Sequence, residues 1–107
     1  MDHPLGSLGR FARPAQQILT VLQMGPAVPA AIRGEVRVRC GDDLGPGTIF
    51  GAIARLERRG LVEVLPRASA PREYRITGLG AETLEALLGS ADLSRRLPRA
   101  SVRSAAT

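Results

Sequence analysis

Gly45-Pro46-Gly47-Thr48-Ile49-Phe50-Gly51-Ala52-Ile53-Ala54-Arg55-Leu56-Glu57-Arg58-Arg59-Gly60 carries its own start and stop signals, and its reading decides the fold. Gly45 is acceptable as an N-cap, and Pro46 suits the first helical position, where its missing N–H would have no partner anyway. Gly60 fits the left-handed position just past the helix end, and Leu61 supplies the apolar contact that often follows it. Ile49, Ile53 and Leu56 fall at i, i+4 and i+7 and form one apolar stripe. At about 100° per residue, the opposite arc collects Thr48, Gly51, Arg55, Arg58 and Arg59. A helix of this shape fits a major groove, with its small first turns at base edges and its arginines near phosphates. The same residues also suit a plain solvated face whose last arginines complement the helix dipole.

The flanks weigh between these two readings. After Gly60 the period shifts toward 2: Leu61, Val62, Val64 and Leu65 read as a strand, and residues 66–71 as a proline-bounded basic loop. Arg72 to Ile76 return as a second strand, with Tyr74 and Ile76 on one face. Upstream, Pro14 to Met24 read as a helix burying Ala15, Ile18, Leu19 and Leu22, stopped by Gly25-Pro26. A second helix runs from Pro29 to about Arg39 and buries Ile32 and Val36, with Arg33 and Arg37 on its outer side. Cys40 to Asp43 form the turn into the central helix.

The pattern is helix, turn, helix, then a two-stranded wing. The fold class expected is mainly α with a small β-hairpin (α+β), a winged helix-turn-helix over residues 14–76. Thr77 is a natural N-cap for a last helix assigned to residues 77–97, with Leu84, Leu87, Leu88 and Ala91 as its apolar stripe. Gly89-Ser90 ends or kinks it. Residues 1–13 read as a flexible arm whose Leu5, Leu8 and Phe11 can dock on a partner subunit. Residues 98–107 read as a disordered tail.

A chain of 107 residues with a net charge of +5, in which all fifteen basic residues are arginine, points to one domain and a polyanionic partner. Three aromatics leave little for base stacking, which argues against single-stranded nucleic acid. There is no apolar run of membrane-spanning length and no signal-peptide pattern, so a cytoplasmic location away from membranes is expected.

Catalysis is not expected. Asp42 and Asp43 are adjacent carboxylates without a neighbouring histidine, and the chain has one histidine (His3) and one cysteine (Cys40). No intrachain disulfide can form. No cofactor is assigned, although Cys40, Asp42 and Asp43, with His3 reaching in, would suit a thiophilic divalent ion. The same residues also read as a small apolar cysteine at a helix end followed by aspartates capping the next helix region. The absence of tryptophan speaks against a flat aromatic effector, and the effector stays unknown.

Several residues together resemble the PadR-like transcriptional regulators, a branch of winged helix-turn-helix proteins. They are Ile18-Leu19 with Leu22 and Gly25-Pro26; Leu44-Gly45-Pro46-Gly47-Thr48-Ile49-Phe50; Arg55-Leu56-Glu57-Arg58-Arg59-Gly60-Leu61-Val62; and Tyr74-Arg75-Ile76-Thr77 with Gly80. They follow the family's order and spacing over residues 14–90. The chain departs from the family at Val28-Pro29-Ala30, where His-Gly-Tyr is usual, and at Phe50, which lacks the usual tyrosine hydroxyl. The wing is also reduced, to Arg72-Glu73-Tyr74.

The resemblance implies a homodimer joined through its terminal helices, here Leu84, Leu87, Leu88 and Ala91. It also implies a regulator, a repressor on an inverted-repeat operator in duplex DNA, released by an effector. Thr48 and Gly51 are expected at base edges, Arg55 at a guanine or a phosphate, and Arg58, Arg59, Arg67 and Arg72 at phosphates, with Phe50 counted among the DNA-binding residues. The other readings are a winged helix used for protein–protein contact and a metal-responsive regulator using Cys40.

Overall fold

The computed structural model describes residues 5–66 and 71–91. Its elements are a 3-10 segment (Gly6–Phe11), α1 (Ala12–Leu22), α2 (Pro29–Cys40), α3 (Pro46–Arg58), β1 (Val62–Leu65), β2 (Glu73–Ile76) and α4 (Gly78–Ala91). α1 begins two residues before the sequence expectation, because Pro14 falls in a first turn whose N–H groups have no intrahelical partner. Pro29 and Pro46 open α2 and α3 behind extended N-caps at Val28 and Gly45.

The end of α3 is closed as its sequence foretells. Gly60 has φ 76°, its N–H donates to the Glu57 carbonyl at 3.0 Å, and the Leu61 N–H donates to the Leu56 carbonyl at 2.9 Å. These are the two bonds of a Schellman ending, and they turn the chain directly into β1. β1 and β2 pair antiparallel, with Val62 opposite Ile76 and Val64 opposite Tyr74. Glu63 and Arg75 stand opposite each other on the outer face and are ion-paired, with Arg75 Nε donating at 2.8 Å.

The sequence reading missed a third edge on this sheet. Ala27, just past the Gly25-Pro26 turn, bridges β2 at Tyr74: its N–H donates to the Tyr74 carbonyl at 3.0 Å and its carbonyl accepts from Tyr74 at 2.9 Å. The start of α2 is thereby fastened to the wing.

One core joins all the layers. Ile18, Leu19 and Leu22 of α1, Ile32 and Val36 of α2, Ile49, Ile53 and Leu56 of α3, Val62, Tyr74 and Leu84 all belong to it. Two expectations are corrected here. From Leu5 onward the first residues are not a flexible arm: Leu5 is 0% exposed, and Leu8 and Phe11 are buried in the chain's own core rather than held for a partner. Leu84 and Leu87 of the supposed dimer stripe are likewise buried, on α1. Leu88 is only half-buried against that core, and Ala91 closes α4. Residues 1–4, 67–70 and 92–107 lie outside the described residues, so His3, Arg67, the helix beyond Ala91 and the 98–107 tail do too.

Candidate nucleic-acid interface

α3 buries Ile49, Ala52, Ile53 and Leu56. Including Ala52 rotates the buried axis relative to the Ile49–Ile53–Leu56 stripe alone. The side facing away from the core then carries Gly47, Phe50, Ala54, Glu57 and Arg58, all exposed. This is about a quarter-turn from the arc expected at Thr48, Gly51 and Arg55, which are only partly exposed.

Phe11 explains the rotation. Its ring lies against α3 so closely that a Cβ at Gly51 would stand 2.7 Å from Phe11 Cε1. The Arg55 guanidinium sits 4.0 Å above the ring centroid, and its Nη1 donates to the Gly51 carbonyl at 3.0 Å. Arg10 approaches the same ring at 4.9 Å. Gly51 and Arg55 therefore seat the N-terminal segment and stand beside the outward arc rather than at its centre. The cause is a contact between residues 40 positions apart, which helical periodicity does not encode.

The other arginines sort by partner. Arg13, Arg33, Arg37, Arg39 and Arg75 are each paired with a carboxylate. Arg59 hydrogen-bonds the Ser7 hydroxyl. Arg58 at the end of α3 and Arg72 beside the wing are exposed, and among the described residues no carboxylate engages either.

Two grooves border the outer face of α3. On the N-terminal side, Leu8, Arg55, Arg58 and Arg59 line an open cationic groove of about 420 Å³. On the wing side the lining is apolar. Pro29, Ala30 and Phe50 are shared by two adjoining depressions of about 180 and 270 Å³, closed toward α2 by Arg33 and toward the wing by Pro71 and Arg72. Phe50, 56% exposed, is the ridge between them.

Of the metal candidates, His3 lies outside the described residues, and Cys40, Asp42 and Asp43 form no cluster. The exposed Cys40 ends α2, while the two aspartates turn to different arginines. Asp42 accepts from Gln17 Nε2 at 2.6 Å and from Arg13 Nη2 at 3.0 Å. Asp43 accepts from Arg37 at 2.9 Å and Arg33 at 3.1 Å. No group of three metal-ligating side chains occurs among the described residues.

The Gln17 amide, then Arg13, hold Asp42 below the ordinary carboxylate pKa. Arg37, then Arg33, do the same for Asp43. A depressed folded pKa stabilises above the unfolded value and loses that stabilisation as pH falls through the folded one. Asp42→Asn and Asp43→Asn should therefore lower the melting temperature at pH 7 and do so less near pH 3, a window set by carboxylate titration. Asp43 is exposed and Asp42 partly so, and the effect is small. Equal losses at the two pH values would contradict the assignment.

Known proteins bear on this geometry. No family model matches the chain. The uncharacterized 37.1 kDa protein of transposon TN4556 from Streptomyces fradiae is 38% identical over 68 residues, which are 64% of this chain and 20% of that protein. The chain thus spans about one fifth of the length of this curated relative.

Solved structures match far more completely. A PadR family transcription regulator from Clostridium difficile superposes with a TM-score of 0.66 at 19% identity, covering 82% of this chain and 96% of that one. A PadR-like transcription factor from Bacteroides fragilis gives 0.68 at 22%, covering 88% and 95%. RosR of H. salinarum gives 0.69 at 24%, covering 86% and 91%. The chain carries the winged helix-turn-helix fold of the PadR-like transcriptional regulators.

Proposed function

We propose that this chain is a DNA-binding transcriptional regulator that lays the outer face of α3 in the major groove of duplex DNA, with the wing alongside. The observation that carries the reading is the solvent-facing arc of α3 (Gly47, Phe50, Ala54, Glu57 and Arg58), with Arg72, which no carboxylate engages among the described residues, on the same flank as Phe50. Its likeness to solved transcriptional regulators supports the same reading. The net charge of +5 adds attraction to phosphates.

The proposal extends to a homodimer on an inverted repeat with half-sites about one helical turn, roughly 10 bp, apart. It also extends to repression by occupying that operator, with an effector releasing it. Because Leu84 and Leu87 are taken up by the chain's own core, the dimer contact falls to Leu88 and the outer side of α4.

The test is binding of the full chain to an inverted repeat taken from the DNA beside its own gene, over a range of salt concentrations. Arg58→Ala and Arg72→Ala should each weaken operator and random duplex alike. Each should also flatten the slope of log affinity against log salt by about one, the signature of a lost phosphate contact. Arg55→Ala should flatten the slope less than either, since its guanidinium lines the cationic groove but is stacked on Phe11 and bonded to Gly51. A folded chain that binds no duplex would leave the winged helix as a protein–protein module.

A further inference from the structure

We propose that Phe50, with Ala54 one turn further on, reads thymine 5-methyl groups, so that the middle of this helix specifies the operator by apolar contact. The inference rests on the reading of α3 as the DNA-facing helix and adds which base feature it recognises. Arg55 would have been the residue to bind guanine edges, but it is stacked on Phe11 and bonded to the Gly51 carbonyl. What remains outward on the middle of α3 is a phenylalanine ring, 56% exposed, and an alanine methyl, neither able to donate or accept a hydrogen bond.

In the major groove only thymine offers an apolar group, its C5-methyl, and phenylalanine and alanine are among the side chains that meet it. The charge around the ring fits this occupant. Arg72 closes the groove on the wing side and Arg58 stands two turns along α3, so cationic groups flank an apolar centre as phosphates flank base edges. Phe50 and Ala54 are about 6 Å apart along the helix axis. At about 3.4 Å per base on one strand, that spacing corresponds to one or two base steps.

The experiment selects duplexes from a random pool with the full chain, then replaces each thymine of the recovered site by deoxyuridine, one at a time, and measures affinity. Removing one methyl from an apolar contact should weaken binding about fourfold at one or two positions. At the position met by the ring, Phe50→Ala should bind thymine and uracil duplexes equally, and Phe50→Leu should keep part of the preference, while a methyl met by Ala54 keeps its penalty in both. Both variants change an exposed residue, so their helical circular dichroism should match the parent.

A selected site that tolerates uracil everywhere would overturn the proposal while leaving duplex binding intact. So would uracil penalties that all persist unchanged in Phe50→Ala. Failure to select any duplex would remove both this inference and the DNA-binding reading beneath it.

Discussion

Gly80→Ala should lower the melting temperature by roughly 15 °C, even though alanine is the better helix former by about 1 kcal/mol. Gly80 is in the first turn of α4, and its N–H donates to Thr77 Oγ1 at 3.0 Å. A Cβ there would stand 2.1 Å from the Leu61 carbonyl oxygen and 2.8 Å from Ile76 Cγ1. That oxygen cannot retreat cheaply. It accepts the Thr77 N–H at 3.1 Å, the Leu61 N–H is tied to Leu56, and the Thr77 hydroxyl donates to the Gly60 carbonyl at 2.7 Å.

The end of α3, the base of the wing and the start of α4 are therefore knotted around one missing side chain. Forcing them apart is overpacking against backbone, worth about 3 kcal/mol, the upper part of the usual range. The control is Gly34→Ala on the exposed side of α2, where a new Cβ meets nothing within 4 Å. It should raise the melting temperature by a few degrees, the gain of a better helix former. If both substitutions stabilise, the close approach at Gly80 is not there.

Leu87→Asp should unfold the chain rather than split a dimer. Leu87 is 4% exposed and packs in the core beside Leu84, which is 0% exposed. The substitution forfeits about 2 kcal/mol of apolar burial. It also leaves a carboxylate to be buried or protonated, costing several kcal/mol more. For a domain of this size the sum matches or exceeds the whole stability, roughly 5–10 kcal/mol.

Leu88→Asp is the informative partner. Leu88 is half-buried, so the charge can reach water and the fold should survive with a loss of about 1 kcal/mol. Under the dimer proposal, that variant should give half the parent mass by light scattering at micromolar concentration, with its circular dichroism retained. A folded Leu87→Asp would overturn the core placement of Leu87, and a Leu88→Asp that keeps the parent's mass would place the interface elsewhere.

Much of the fold was legible in the sequence because its signals are local. Proline and glycine punctuation marked the starts of α2 and α3 and the Schellman ending at Gly60. The shift of period after Leu61 marked the wing, and the Thr77 hydroxyl accepts the capping bond from Gly80. What faces what was not local. The Ile49–Ile53–Leu56 stripe correctly identified a buried side of α3, and adding Ala52 would have turned the outward arc toward Phe50 and Ala54.

No periodicity, however, could place the Phe11 ring on Gly51 and Arg55, or bring Ala27 beside Tyr74. Nor could the apolar stripe of α4 say whether Leu84 and Leu87 fill their own chain's core or a partner's, because burial is equally favourable in either. Local backbone preferences and the helical repeat are written residue by residue, so the sequence by itself determined α1 to α3 and the wing, but not that Leu5 to Phe11 fold onto the core. The choice of which face meets solvent depends on contacts between residues 40 or more positions apart, which only the assembled tertiary structure decides.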